Sequence, residues 1–128
     1  MNLPQRNPSR LLILEDEAPL LHVLTAVLER KGWSCVGAKD GAEAMRAVDD
    51  SAKPMDAALL DLNAGCTSGF TVAARLRSSR PDMPVVMMTG HADAGMRSRI
   101  SKFQHFVLIE KPFSMDSLEE ALAQATCA

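Results

Sequence analysis

Five short apolar runs, each followed by a segment of helical period, constrain this chain more than any other feature. The runs are Arg10–Leu14, Ser34–Ala38, Ala57–Leu60, Val85–Met88 and Phe106–Ile109. Each is too short to be a buried helix and is bounded by turn residues, which reads as a buried strand. Between them lie helix-like stretches. Ala18–Lys31 carries Pro19, suited to a first helical turn, and a Leu20, Leu24, Val27, Leu28 stripe, and it ends at Gly32. Asp40 with Glu43 forms a capping box that opens a helix to about Asp50, broken by Lys53-Pro54. Further helices are expected over Thr71–Ser79 and Ala94–Lys102, and a last one is capped by Ser114 with Leu118, Ala121, Leu122 and Ala125 on one face. Strict strand–helix alternation argues for an α/β fold: a doubly wound parallel sheet with helices on both faces. Right-handed crossovers leave few topologies for it.

In an open sheet of this kind ligands bind beyond the carboxyl ends of the strands. The first strand reads LLILEDE and ends on Glu15, Asp16 and Glu17. The third ends on Asp61, the fourth on Thr89, and the fifth runs into Glu110-Lys111-Pro112. Two carboxylates about 4 Å apart repel by about 4 kcal/mol at an effective dielectric of about 20. A whole domain is stable by only about 5–15 kcal/mol. The acids therefore call for cations. Lys111 offsets one charge, and a set of hard oxygen ligands with few carboxylates favours Mg²⁺. Taken singly, each residue has an ordinary reading: acids at a helix start, a loop cap, a turn hydroxyl, a solvated lysine. Their joint placement at one sheet edge is what points to a site.

LLILEDE, ALLDLN, VVMMTG and IEKPF, in this order and spacing, resemble the response-regulator receiver domain of bacterial two-component signalling. The resemblance covers residues 10–126, behind a flexible lead over 1–9. It implies a flavodoxin-like (βα)5 fold with strand order 2-1-3-4-5. It further implies transfer of a phosphoryl group from a histidine kinase's phosphohistidine, or a histidine phosphotransfer protein, onto Asp61 with Mg²⁺. By position, Asp16 is then a direct metal ligand and Glu15 acts through water, with Asp61 and the backbone carbonyl of Asn63 completing the set. Thr89 would hydrogen-bond the phosphoryl group, Lys111 would pair with its oxygens, and the Lys111-Pro112 bond would be cis. The chain departs from the family pattern in four places. Leu108 stands where an aromatic residue is usual, with Phe106 as a partial substitute. Glu15 stands where Asp is commoner. The loop after Asp61 lacks a frequent proline but keeps Gly69. KFQH replaces the usual Gly-Ala before the fifth strand.

Composition narrows the class of function. The net charge is −2, which supplies no basic field for nucleic acid and no polybasic membrane patch. No apolar run approaches the roughly 20 residues of a membrane span, and the start lacks the apolar core of a signal peptide. Cys35, Cys66 and Cys127 fit neither a disulfide framework nor a zinc pattern, so a cytoplasmic setting is expected. A stand-alone receiver is the expected organisation, signalling through a downstream protein target or a phosphorelay; self-association into a dimer is left open. The competing readings are an interaction module that signals without phosphorylation, a receiver fragment of a hybrid kinase, and an aspartate-nucleophile phosphohydrolase. The last typically needs a second aspartate two positions after the nucleophile, where this chain has Asn63. A flavin binder of the same fold is disfavoured, because acids replace the phosphate loop after the first strand.

Overall fold

The computed structural model describes residues 9–50, 52–63 and 68–127. Residues 1–8 of the lead expected over 1–9, and Cys66, lie outside them; Ser9, the last residue of that lead, is instead the first of β1. Five parallel strands, β1 (Ser9–Leu14), β2 (Trp33–Ala38), β3 (Ala57–Asp61), β4 (Val85–Thr89) and β5 (Phe106–Glu110), form one sheet in the order β2-β1-β3-β4-β5. Helices α1 (Ala18–Arg30), α2 (Gly41–Asp49), α3 (Gly69–Ser79), α4 (Ala94–Ser101) and α5 (Met115–Cys127) alternate with them. This is the flavodoxin-like order expected. Among the described residues no helix is long and apolar enough to cross a membrane.

Side-chain alternation along the strands splits the core in two. Leu12, Leu14, Ala58, Leu60, Val85 and Met87 face α2, α3 and Ile100 of α4, whereas Leu11, Ile13, Ala57, Leu59, Val86 and Met88 face α1 and α5. Leu11 to Leu14 are all fully buried, as a central strand covered on both faces requires.

The helix ends follow their caps. Asp40 Oδ1 accepts from the Glu43 N–H at 2.8 Å, and Glu43 Oε1 reaches back to the N–H of Lys39 at 2.9 Å. Gly32 takes φ 104°, a conformation only glycine adopts cheaply, and ends α1. Helix α3 begins two residues before its expected start, because the Ser68 hydroxyl accepts from the Phe70 N–H at 3.0 Å. Asp93 caps α4 through the Met96 N–H at 2.7 Å, an N-cap not anticipated from the sequence.

Cys35 is half buried on β2, and its thiol is pushed up to about 12, first by burial and then by the Glu29 charge. A free thiol ionises near 8.5, so at pH 8 Cys35 is expected to alkylate more than a hundredfold more slowly than a free thiol. Peptide mapping after iodoacetamide treatment, native against urea-unfolded, checks this; comparable labelling of Cys35 in both states contradicts it.

Candidate functional site

The parallel topology delivers the carboxyl ends of β1, β3, β4 and β5 to one edge. There Glu15, Asp16 and Asp61 each offer a carboxylate oxygen, and the three oxygens lie within 4.8 Å of one another. Lys111, just beyond β5, extends its ammonium into this group. Its Nζ donates to Glu15 Oε1 at 2.7 Å and to Asp61 Oδ2 at 3.1 Å. It also lies 3.8 Å from Glu17 Oε2. The Lys111-Pro112 peptide is cis, as the resemblance implied.

Glu15 is fully buried and Asp61 nearly so, at 5% exposure, while Asp16 is exposed. Burial pushes the Glu15 carboxyl up. Hydrogen bonds from Lys111 and from the Glu17 N–H pull it back, and the Asp61 charge adds to the rise, leaving it above the usual carboxylate range. Burial alone would lower the Lys111 ammonium. Its hydrogen bonds to Glu15 and Asp61, and their charges, more than reverse this, so it stays protonated well above neutrality.

The structure brings Glu15, Asp16, Asp61 and Lys111 together. It treats Thr89 and Asn63 differently. Thr89 is buried beside them on β4, but its hydroxyl is engaged by its own loop: Oγ1 donates to the His91 carbonyl and accepts from the His91 N–H, both at 3.2 Å. Asn63 joins the site through its N–H, which donates to Asp61 Oδ1 at 3.0 Å. So both Asp61 oxygens have a donor.

Phe106 does not stand in for the aromatic residue absent at Leu108. It pairs with Val85 at the start of β5, the end opposite the site, whereas Glu110 pairs with Thr89. Its ring is held there by the Arg77 guanidinium, 4.8 Å from its centroid, and by Phe103 at 5.4 Å. Arg77 in turn donates to the carbonyls of Met83 and Gln104 at 2.6 and 2.7 Å. The end of β5 nearest the site is tied instead by Glu110, whose carboxylate lies 3.6 Å from Arg97 of α4 and 3.4 Å from the Ala92 N–H.

Reasoning from the sequence missed two features here. One is that the charge Lys111 offsets includes that of the fully buried Glu15, 96 residues away. The other is Glu17, named in the acid run but given no role. The alternation that puts Glu15 and Glu17 on one side was the available signal for it.

A five-stranded doubly wound sheet with a carboxylate cluster and a lysine at its carboxyl edge defines a receiver module. The model of the response regulator receiver domain matches residues 11–123, and the chain belongs to that family. It is 29% identical over 118 residues to the transcriptional regulatory protein GlrR of Escherichia coli, covering 92% of this chain and 26% of that protein. With the transcriptional regulatory protein TcrA of Mycobacterium tuberculosis it shares 34% identity over 111 residues, covering 85% of this chain and 42% of that protein. The chain thus spans about a quarter to two-fifths of the length of these curated relatives. Among solved structures, a response regulator receiver protein from Sinorhizobium medicae superposes with a TM-score of 0.83 at 28% identity, over 94% of this chain and 95% of that one. The non-phosphorylated HemR receiver domain of Leptospira biflexa gives 0.82 at 27%, again over 94% and 95%. The chain is therefore a signalling domain of the two-component type, carrying the acidic pocket at which receiver domains bind Mg²⁺.

Proposed function

We propose that this domain accepts a phosphoryl group on Asp61 from the phosphohistidine of a histidine kinase or histidine phosphotransfer protein, with Mg²⁺, and signals onward by protein contact or phosphorelay. One observation carries the reading. A single ammonium bridges two buried carboxylates, one just past β1 and one ending β3, beside a third carboxylate that is exposed and makes no hydrogen bond or ion pair among the described residues.

That donor set fits a hard, oxygen-seeking divalent cation. Asp16, Asp61 and the Asn63 carbonyl would hold Mg²⁺, with Glu15 acting through water. When bound, the cation supplies positive charge that neutralises the phosphoryl oxygens. The chain's own groups do the rest. An Asp61 oxygen attacks phosphorus as the donor's P–N bond breaks. The electron pair returns to the ring nitrogen, and the imidazole, protonated on its other nitrogen, leaves neutral. The Lys111 ammonium stands where charge gathers on the transferring oxygens. Thr89 supplies a hydroxyl to the phosphoryl group once it lets go of His91. The transcriptional role named for the relatives belongs to much longer proteins, so the reading is confined to the receiver step.

Incubation with acetyl phosphate and Mg²⁺, and separately with a phosphorylated histidine kinase, followed by mapping of the acyl phosphate, tests this. Label is expected on Asp61 and to require the cation. Label on another residue, or none from either donor, ends the proposal.

A pH-dependent stabilisation by Mg²⁺ follows. The raised Glu15 carboxyl binds its proton more tightly folded than unfolded. Its favourable contribution is therefore full below its unfolded value, near pH 4.5, and is lost as pH rises through the folded value. At neutral pH the domain holds a buried charge that a cation relieves. At tenfold excess over its Kd, Mg²⁺ is expected to stabilise by about 1.4 kcal/mol at pH 7.5. The gain is expected to shrink toward pH 4.5, where protons compete. Urea unfolding at the two pH values, with and without Mg²⁺, measures the difference.

A further inference from the structure

Glu17 occupies the N-cap of α1 with extended backbone, yet its side chain caps nothing. The short side chain of an Asp or Ser at that position ordinarily accepts from an N–H of the first turn; the longer glutamate side chain is free to reach elsewhere. Here it leans the other way, to 3.8 Å from Lys111 Nζ, with 67% of the side chain exposed. Its own N–H donates to Glu15 Oε2 at 3.0 Å, which ties the residue to the buried acid. With Leu20, Lys111, Pro112 and Phe113 it lines an open cleft of about 340 Å³ on the lysine flank of the site.

An ion pair this exposed and this long contributes little stability. Its charge still acts on whatever approaches. A phosphoryl donor reaching Lys111 through the cleft must pass a carboxylate that belongs neither to the phosphoacceptor nor to the expected metal ligands. We propose that Glu17 is a specificity-determining residue that selects phosphoryl donors by charge, holding back small dianionic donors relative to less charged ones. The inference rests on Asp61 being the phosphoacceptor. A unit charge roughly 6 Å from the donor in water changes its local concentration about tenfold for a dianion and about threefold for a monoanion.

The test compares wild type, Glu17→Gln and Glu17→Asp, at saturating Mg²⁺ and pH 7. The donors are acetyl phosphate, which is doubly charged, and phosphoramidate, which is singly charged. At low salt, Glu17→Gln is expected to speed acetyl phosphate about tenfold and phosphoramidate about threefold. In 1 M salt, where the screening length falls to about 3 Å, the gap is expected to close. Glu17→Asp keeps the charge at the rim, though an aspartate there can turn to cap α1, and it is expected to leave the ratio of the two rates closer to wild type than Glu17→Gln does. A Glu17→Gln variant that changes neither rate, changes both equally, or gains the same at high salt overturns this inference alone, provided the wild type labels. A wild type that takes label from neither donor overturns the Asp61 reading and this inference with it.

Discussion

Lys111→Met is expected to lower stability by about 3 kcal/mol at pH 7.5 without divalent cations, and to slow phosphoryl uptake by about 10²–10³-fold. The stability loss comes from what is left behind. Glu15, with no exposure, and Asp61, nearly buried, both lose their ammonium partner. Breaking a buried pair on one side typically costs about 3–5 kcal/mol, because the orphaned charge stays desolvated. Methionine keeps most of the stem's packing, so the loss reports charge rather than volume. The low end of the range applies because Glu15 has a partial escape: its carboxyl is already raised by burial, and losing the Lys111 hydrogen bond raises it further, which makes neutralising the orphaned charge easier.

That escape fixes the pH dependence. A raised carboxyl weakens the fold only as pH climbs above the unfolded value near 4.5. The penalty of Lys111→Met should therefore be large at pH 7.5 and small near pH 5. In the wild type, the lysine's own contribution is full below its unfolded value of 10.5 and is lost as pH rises through its still higher folded value. Urea titrations at pH 5 and 7.5 separate the causes; an equal loss at both would mean that the stem's packing, not the charge, was removed. The kinetic loss has the size seen when one preorganised donor is taken from a developing oxyanion. A charge on the transferring oxygens with no ammonium to meet it has only the cation left.

How much of this was legible in the sequence depends on the range of the interaction. The strands were legible because Leu11 to Leu14 and Val85 to Met88 are apolar runs buried on both faces, a pattern that needs no partner to be read. Edge placement of Asp61, Thr89 and Lys111 followed from topology alone, since every parallel strand ends on one side. The start of α3 was obscured because glycine is a poor helix former, and Gly69 reads as loop until Ser68 is seen capping it. Helix α4 was faint because one of its residues, Ile100, is buried, so little apolar stripe exists to find. The direction of the Thr89 hydroxyl and the tilt of Glu17 toward Lys111 are rotamer choices set by neighbours distant in sequence. No local pattern encodes them.

Gly69→Ala is expected to destabilise the domain by about 2–3 kcal/mol and to disturb the phosphoacceptor loop. Gly69 is the first residue of α3, and its backbone angles are ones any residue adopts; the requirement is closeness. A Cβ there would lie 2.6 Å from the Asp61 carbonyl oxygen, 3.1 Å from its carbonyl carbon and 3.2 Å from Leu62 Cα. All three are backbone atoms, so no side chain can swing aside. Overpacking of this kind typically costs about 1–3 kcal/mol, and the rigid neighbours place Gly69 at the upper end. For a domain of this size that is about 10 °C in Tm. The displaced atoms belong to the residue proposed to carry the phosphoryl group. Relief by moving α3 outward would stretch the Gly69 N–H from the Leu62 carbonyl it now meets at 3.3 Å. Relief by moving the end of β3 would shift Asp61 from Lys111. The variant should therefore lose phosphoryl uptake even at temperatures where it remains folded, whereas a simple packing defect remote from the site would lose stability alone. Calorimetry paired with labelling at 10 °C distinguishes these, and a folded variant that labels at the wild-type rate would show that the loop yields without moving Asp61.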